Sequence, residues 1–85
     1  MLKCTLLSAV DQLEETELEG VFVQAVTGEL GLLKNHQSII AKLKDNSQIR
    51  LKTAAAQKYY LLGQNNFLYF TDNTAVVLTQ SFSAV

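Results

Sequence analysis

The sequence predicts an all-β fold, a two-sheet antiparallel β-sandwich or flattened barrel, and three observations lead to this prediction. The dominant hydrophobic period is two: in SQIRLKT (47–53), Ile49 and Leu51 alternate with polar residues, as in a half-buried strand. Turn signals made of Asn, Asp and Gly separate such segments about every ten residues. The 85 residues, 48% of them apolar, are enough for one core, so we expect a single domain spanning 1–85.

The N-terminal half is predicted to contain two strands and two connections. Alternate residues from Leu2 to Val10 are mostly apolar, which predicts the first strand. EETELEG (14–20) contains a threonine and leads into β-rich VFVQAV (21–26), so we interpret it as an exposed connection before a second strand. TGELGLLKNHQS (27–38) follows as a connection that concentrates two glycines, an isolated acid and the only histidine.

The C-terminal half alternates between strand and turn signals. Three segments rich in aromatic and β-branched residues predict strands: QKYYLL (57–62), NFLYF (66–70) and TAVVLTQ (74–80). Asp45-Asn46, residues 63–66 and Asp72-Asn73 predict the turns, since Asn, Asp and Gly tolerate positive φ. The chain contains no proline, and asparagine and aspartate take the turn positions that proline often fills.

Composition excludes several classes of function. The net charge of −1 does not indicate a broad nucleic-acid-binding surface. Cys4 is the only cysteine, so it cannot form an internal disulfide; we expect it buried in a strand, in a chain from a reducing compartment. One cysteine and one histidine fall short of a four-ligand zinc site. No segment approaches the roughly 20 apolar residues of a membrane helix.

Charge is distributed unevenly along the chain. Five of the eight acidic residues lie between Asp11 and Glu19, and six of the seven basic residues lie between Lys34 and Lys58. One interpretation is that these charges cover solvated strand faces and loops. The other is a polar surface that matches a partner of complementary potential.

Glu29 and His36 are the residues of 27–38 that could do chemistry, as a general acid–base pair. No serine or cysteine nucleophile stands at a recognised spacing from them, so we do not expect catalysis. The segment also lacks the glycine spacing of a phosphate-binding loop. For His36 the first interpretation is a hydrogen-bonded loop residue, and the second is a contact with a partner.

The aromatic residues of the last strands could stack nucleic-acid bases or fill the core. Base stacking requires basic residues between the rings, and only Lys58 is near. Core packing and cross-strand pairing therefore explain the rings better. The residues alone thus predict a non-catalytic β-sandwich that binds another protein.

GELGLLKNH (28–36) resembles the signature segment of the epsilon subunit of F-type ATP synthases, called delta in mitochondria. That family has an N-terminal β-sandwich with a Gly-Glu-(Phe or Leu)-Gly segment, two apolar residues, a proline and a histidine. The resemblance continues in order over essentially all 85 residues, from LLSAVDQL (6–13) to YYLLGQNNFLYFTDNTAVVLT (59–79).

The resemblance implies a non-catalytic central-stalk subunit that links the gamma subunit to the ring of c subunits. It implies c-ring contacts for Glu29, Leu30, Gly31 and His36, and gamma contacts for Ser8 and Ile40. It implies no cofactor, and a peripheral position at the cytoplasmic face of a bacterial inner membrane or the equivalent side in an organelle. Gly28 and Gly31 would make the segment tight, so that Glu29 and His36 are held near the ring.

The sequence departs from the family at several turns. Lys34 stands where the family favours proline, Asp45-Asn46 replaces a Pro-Gly turn, and Asn65-Asn66 replaces a Gly-Gly pair. Members commonly continue into a C-terminal helical hairpin that inhibits hydrolysis and in some binds ATP, whereas this sequence ends at SFSAV. We therefore expect the chain as given neither to bind ATP nor to inhibit hydrolysis.

Two other functions remain open on the sequence. One is a β-sandwich adaptor that is unrelated to the synthase, and co-purification with gamma separates it from the stalk subunit. The other is a small barrel that binds single-stranded nucleic acid, and filter binding with a steep salt dependence would indicate it.

Overall fold

The computed structural model describes all 85 residues and confirms the all-β prediction, because no helix is present. The structure contains no helix of the length and hydrophobicity needed to span a membrane. The strands are β1 (Leu2–Leu7), β2 (Gln12–Leu18), β3 (Gly20–Ala25), β4 (Gly28–Leu33), β5 (Ile39–Leu43), β6 (Gln48–Lys52), β7 (Gln57–Leu62), β8 (Asn66–Thr71), β9 (Thr74–Leu78) and β10 (Phe82–Ala84).

The strands form two five-stranded halves that join at one corner. One half has the order β4-β3-β6-β7-β10 and the other β5-β8-β9-β1-β2. At the corner Ala25 pairs with Leu43, and two backbone hydrogen bonds flank the pair, from Val26 to Lys42 and from Lys44 to Gln24. The result is a curled sheet that folds into a sandwich. It is not wholly antiparallel, because β1 and β9 are parallel.

A single core fills the space between the halves. It contains 17 buried apolar side chains, contributed by strands from both halves. Period-two alternation places them there, as in β6, where Ile49 and Leu51 are buried and Gln48 and Lys52 exposed. Cys4 is fully buried with a free thiol, as predicted. Burial raises the pKa of that thiol to about 12, and the nearby charge of Glu15 adds to the effect.

Asparagine and aspartate occupy the left-handed positions of the turns, as predicted. Asn46, Asn65, Asp72 and Asn73 all have positive φ, between 49° and 58°. Asn35 does the same after β4, with φ 67°. These residues tolerate the left-handed region better than other non-glycine residues do, so the turns form without proline.

The prediction of an exposed connection at 14–20 is wrong, because Gln12–Leu18 is strand β2. It pairs with β1 as the edge of its half. Its pattern misleads because only Leu18 is fully buried, and Glu17 interrupts the alternation with φ 56°. The first strand is also shorter than predicted, since Val10 lies in the turn before β2 and is 92% exposed.

The prediction of a connection over 27–38 is also wrong in part, because Gly28–Leu33 is strand β4. It forms a hairpin with β3 through the turn at Val26 and Thr27 and is the edge of its half. The sequence does not identify β4 as a strand because Gly28 and Gly31 interrupt the β-branched and aromatic residues that are typical of strands. Only residues 34–38 form a connection, which leads from β4 to β5.

Candidate functional site

The residues that the resemblance assigns to partners fall into three places on the surface. Glu29, Leu30 and Gly31 lie on edge strand β4, and His36 lies in the connection after it. Ile40 lies on β5. Ser8 begins the turn between β1 and β2.

Glu29 is presented at the hairpin end of β4, on the outer face. It pairs with Gln24 of β3, whose Nε2 donates a hydrogen bond of 3.3 Å to the Glu29 carboxylate. Gly28 precedes it with φ +137°, a conformation that side chains disfavour, and this glycine thus serves the turn as predicted. The Glu29 carboxylate is exposed and has no cationic partner, so it is available to bind one.

Gly31 does not lie in a turn, and it is a neighbouring side chain that approaches its backbone closely. It lies within β4 opposite Phe22, where an added Cβ would be 3.1 Å from the Phe22 ring. Gly20 lies under the same ring, and a Cβ there would be 2.7 Å from it. The guanidinium of Arg50 lies above the ring, 4.1 Å from its centroid. Gly31 therefore makes room for an aromatic side chain and not for a sharp turn.

Leu30 points to the opposite side of β4 from Glu29 and Gly31. It is half-buried and packs against the core. Its direct contribution to a partner surface is therefore limited to the exposed part of its side chain.

His36 is a hydrogen-bonded connection residue, which agrees with its first interpretation. Its Nδ1 lies 2.6 Å from the Gln37 carbonyl oxygen, and its backbone N–H donates to the Leu33 carbonyl. The ring is half-buried and meets Phe70 edge-on, with centroids 5.8 Å apart. The contact holds the imidazole against β8 and leaves part of it open to a partner.

The structure does not bring Glu29 and His36 together. Glu29 is near the hairpin end of β4, whereas His36 lies beyond the other end, and the strand between Glu29 and Leu33 spans about 13 Å. The two residues therefore do not form an acid–base pair. No three histidine, cysteine or acidic side chains lie together as metal ligands either.

Ser8 closes the turn between β1 and β2. Its Oγ accepts a hydrogen bond of 3.1 Å from the backbone N–H of Asp11 and a longer one from Val10. The hydroxyl is therefore engaged within the turn. Any contact with a partner at this point involves the turn as a whole rather than the Ser8 hydroxyl alone.

Ile40 belongs to a larger apolar surface that the sequence analysis missed. Its side chain is 71% exposed, and it pairs with Tyr69, which pairs with Val76. A second row is formed by Phe67 and Leu78, followed by Leu7. We call these two rows the outer apolar face; its members are Ile40, Tyr69, Val76, Phe67, Leu78 and Leu7.

The outer apolar face is open to solvent in its central part. Tyr69 is 41% exposed and Phe67 is 37% exposed. A groove of about 480 Å³ lies between Ile40 and Tyr69. Further along the same two strands, the ammonium of Lys42 lies 4.4 Å from the centroid of the Phe67 ring. Contiguous exposed apolar surface of this kind indicates a protein-binding site.

A signal for this face is present in the sequence. NFLYF and TAVVL are apolar at both parities, whereas a strand with one solvated face alternates apolar and polar residues. The sequence analysis assigns the aromatic residues to core packing and cross-strand pairing. Tyr60 and Phe70 are buried in the core. Tyr59, Phe67 and Tyr69 are partly exposed and pair across strands instead.

Comparisons by family model and with curated proteins both lead to the ATP synthase delta/epsilon chain. The family model for the ATP synthase delta/epsilon chain, β-sandwich domain, matches residues 1–85. Among curated proteins, the ATP synthase epsilon chains of Mycobacterium avium and Mycolicibacterium paratuberculosis are 26% identical over 61 residues. Each match covers 72% of this chain and 50% of the relative, so the chain spans about half the length of the curated relatives it matches.

Solved structures share the fold at low sequence identity. A chain in the cryo-EM structure of the Euglena gracilis mitochondrial ATP synthase (OSCP/F1/c-ring) matches with TM-score 0.83 and 15% identity. The match covers 95% of this chain and 51% of that one. A chain in the Tetrahymena thermophila mitochondrial ATP synthase structure (central stalk/c-ring) matches with TM-score 0.78 and 9% identity, covering 96% and 65%.

Proposed function

The chain belongs to the family of the ATP synthase delta/epsilon chain, whose β-sandwich domain it matches over residues 1–85, and we propose that it acts as a central-stalk subunit. In this proposal it links the gamma subunit to the c-ring of a proton-translocating F-type ATP synthase and performs no covalent chemistry. The observation that carries the proposal is the outer apolar face. Soluble monomeric domains rarely expose a large contiguous apolar surface, and here Ile40 and Tyr69 are exposed side by side.

We assign the gamma contact to the outer apolar face. Ile40 lies in one of its rows, and the Ser8 turn follows Leu7 at the end of the other. Both residues that resemblance connects with gamma thus border the same surface. An apolar interface suits two subunits that turn together, since obligate interfaces are more hydrophobic than transient ones.

We assign the c-ring contact to β4 and the connection that follows it. Exposed Glu29 at one end and half-buried His36 at the other would contact polar loops of the c subunits. The backbone of edge strand β4 has unpaired groups on its outer side, which provide further hydrogen-bond partners. In this proposal the chain is a peripheral subunit at the membrane surface, on the cytoplasmic face in bacteria or the equivalent side in an organelle.

Co-purification with gamma tests the first contact. Ile40→Lys combined with Tyr69→Lys should lower the recovered gamma by at least about ten-fold, because each lysine places a charge in an apolar interface. Leu61→Lys is the matched control, since Leu61 is 41% exposed but lies on β7 in the other half. Equal binding by the double variant, or an equal loss in the control, would refute the assignment.

Coupling in reconstituted synthase tests the second contact. Glu29→Ala with His36→Ala should weaken proton pumping per ATP hydrolysed while gamma binding persists. Gln48→Ala is the control, since Gln48 is also exposed on a strand but lies on β6. Unchanged coupling in the double variant would exclude these residues as the contact, and unfolding of the variant would show that they are structural.

A further inference from the structure

Three side chains connect the halves of the sandwich on the side away from the corner. Glu15 of β2 accepts a hydrogen bond of 2.8 Å from the Tyr60 hydroxyl and bonds of 3.0 and 3.3 Å from Lys58 Nζ. Tyr60 and Lys58 belong to β7 of the other half. No backbone pairing joins β2 to β7, so these side-chain contacts take its place.

Strand β2 is held by one neighbouring strand and by few buried side chains. It is an edge strand whose backbone pairs only with β1, with a register shift between Leu2 and Cys4. Leu18 is its only fully buried side chain, and Leu13 is partly buried against the core. Segments with few buried apolar contacts are the ones that open locally at low free-energy cost.

Cys4 lies directly behind this strand. It is the cross-strand partner of Glu15 in the antiparallel pair, so both side chains point to the same, inner face. The thiol is fully buried. Separation of β2 from β1 and β7 would expose the thiol on the side away from the corner, while the rest of the core stays packed.

We propose that β2 opens locally as a unit, that the contacts of Glu15 with Tyr60 and Lys58 hold it closed, and that these contacts control access to the Cys4 thiol. The charged groups in contact within the cluster are Glu15 of β2 and Lys58 of β7, and the titratable Cys4 of β1 faces the same cluster. Glu14, the neighbour of Glu15, points outward and lies 3.9 Å from Lys3 on the surface. It therefore provides a control of the same charge on the same strand.

Native-state alkylation of Cys4 by iodoacetamide, followed by intact mass, tests the proposal. When β2 closes faster than the open form is alkylated, the observed alkylation rate equals the equilibrium constant for opening multiplied by the alkylation rate of a free thiol. Tyr60→Phe and Glu15→Gln should each raise it by about ten-fold or more. Tyr60→Phe removes the hydroxyl that donates to Glu15, and Glu15→Gln removes the carboxylate charge that strengthens the hydrogen bonds from Tyr60 and Lys58. Glu14→Gln should leave the rate within about two-fold of the parent, since an exposed ion pair contributes little.

The urea dependence of the rate separates local opening from global unfolding. Local opening exposes little surface, so the rate should depend only weakly on urea below the unfolding transition. The parent chain alone provides this measurement, even if a variant fails to fold. A rate that follows the full urea dependence of global unfolding in the parent, or that is unchanged in both Glu15→Gln and Tyr60→Phe, would overturn the proposal.

Discussion

Single side chains decide how the two halves of this sandwich meet, and Glu15 is the clearest example. It points inward from an edge strand, where a carboxylate is normally unfavourable. Burial would raise its pKa, but the hydrogen bonds from Tyr60 and Lys58 and the charge of Lys58 lower it below the ordinary value of 4.5. Burial and the same carboxylate raise the pKa of the Tyr60 hydroxyl to about 12.

These shifts predict a stability that depends on pH at both ends of the range. Because the pKa of Glu15 is lower in the folded chain, its contribution is present above about pH 4.5 and is lost as pH falls through the folded value. The raised pKa values of Cys4 and Tyr60 contribute below their ordinary 9.0 and 10.0, and this contribution is lost as pH rises toward 12. Urea unfolding as a function of pH measures both effects.

The variant Glu15→Gln tests how the Glu15 charge contributes to stability at acidic pH. The difference in free energy of unfolding between parent and variant should be largest near neutral pH and shrink below pH 4.5. Glu14→Gln should show no such pattern, because Glu14 is exposed. A difference that stays constant from neutral to acidic pH would contradict the role given to the Glu15 charge.

The Phe22 ring lies against both Gly20 and Gly31, where a side chain would collide with it, and this contact gives a second prediction at the scale of the residue. Gly20→Ala should destabilise the chain by about 1–3 kcal/mol, because the ring is confined by Gly31, Arg50 and the new methyl group. Phe22→Ala should remove most of that cost in the double variant. Urea unfolding of the four chains measures the coupling, and additive effects would mean that the ring does not require the glycine.

At the scale of the element, one buried asparagine holds three connections in place. Asn66, at the start of β8, is fully buried and donates from Nδ2 to the carbonyls of Lys44 and Gly63. Its Oδ1 accepts a hydrogen bond from the Thr79 hydroxyl, just after β9. The sequence predicts left-handed backbone for both Asn65 and Asn66. Only Asn65 adopts it, whereas Asn66 contributes through the hydrogen bonds of its side chain.

Removal of this side chain should destabilise the sandwich. Asn66→Ala removes all three hydrogen bonds of a fully buried side chain and leaves a cavity, at a cost of about 2–4 kcal/mol in the free energy of unfolding. The Lys44 and Gly63 carbonyls keep hydrogen bonds from Ser47 and Asn46. Asn65→Gly, one residue earlier, should be nearly neutral, since Asn65 has φ 57° and glycine adopts that conformation readily. Thermal or urea unfolding distinguishes the two, and equal effects would show that the turn matters and the polar network does not.

At the scale of the whole molecule, the chain is a compact and closed body. The radius of gyration is 11.4 Å, against about 12 Å expected for a domain of this length. One side is closed by the backbone corner at Ala25 and Leu43, and the other by Glu15 and its partners. A body closed on both sides resists shear, which agrees with the central-stalk role proposed above.

The chain as given should not bind ATP or inhibit ATP hydrolysis. The family's inhibitory and ATP-binding residues are attributed to a helical hairpin, and the 85 residues fold entirely as strands and turns. They thus offer no helix N-terminus for a phosphate. Isothermal titration with ATP should show no saturable heat, and addition of the chain to epsilon-depleted synthase should leave hydrolysis uninhibited. Micromolar binding, or strong inhibition, would place regulation in the sandwich itself.

The sequence alone determined the all-β class, the turns at Asn46, Asn65 and Asp72-Asn73, the burial of Cys4 and the family. These features depend on local signals: period-two alternation, the tolerance of asparagine and aspartate for positive φ, and the order of short motifs. The first two signals lie within a few neighbouring residues and the third is read along the chain, so none of them requires knowledge of which strands pair. The assignment of partner contacts to Glu29, Leu30, Gly31, His36, Ser8 and Ile40 stays a prediction.

Only the tertiary structure decided what the ambiguous segments do. β2 is a strand because β1 pairs with it and β7 supplies Tyr60 and Lys58 to its inward carboxylate, 43 to 45 residues further along the chain. Gly31 is required by a ring on the strand opposite. The outer apolar face exists because β1, β5, β8 and β9 come together with apolar residues on both sides. In each case the deciding neighbour lies on another strand, and the pairing of strands fixes it.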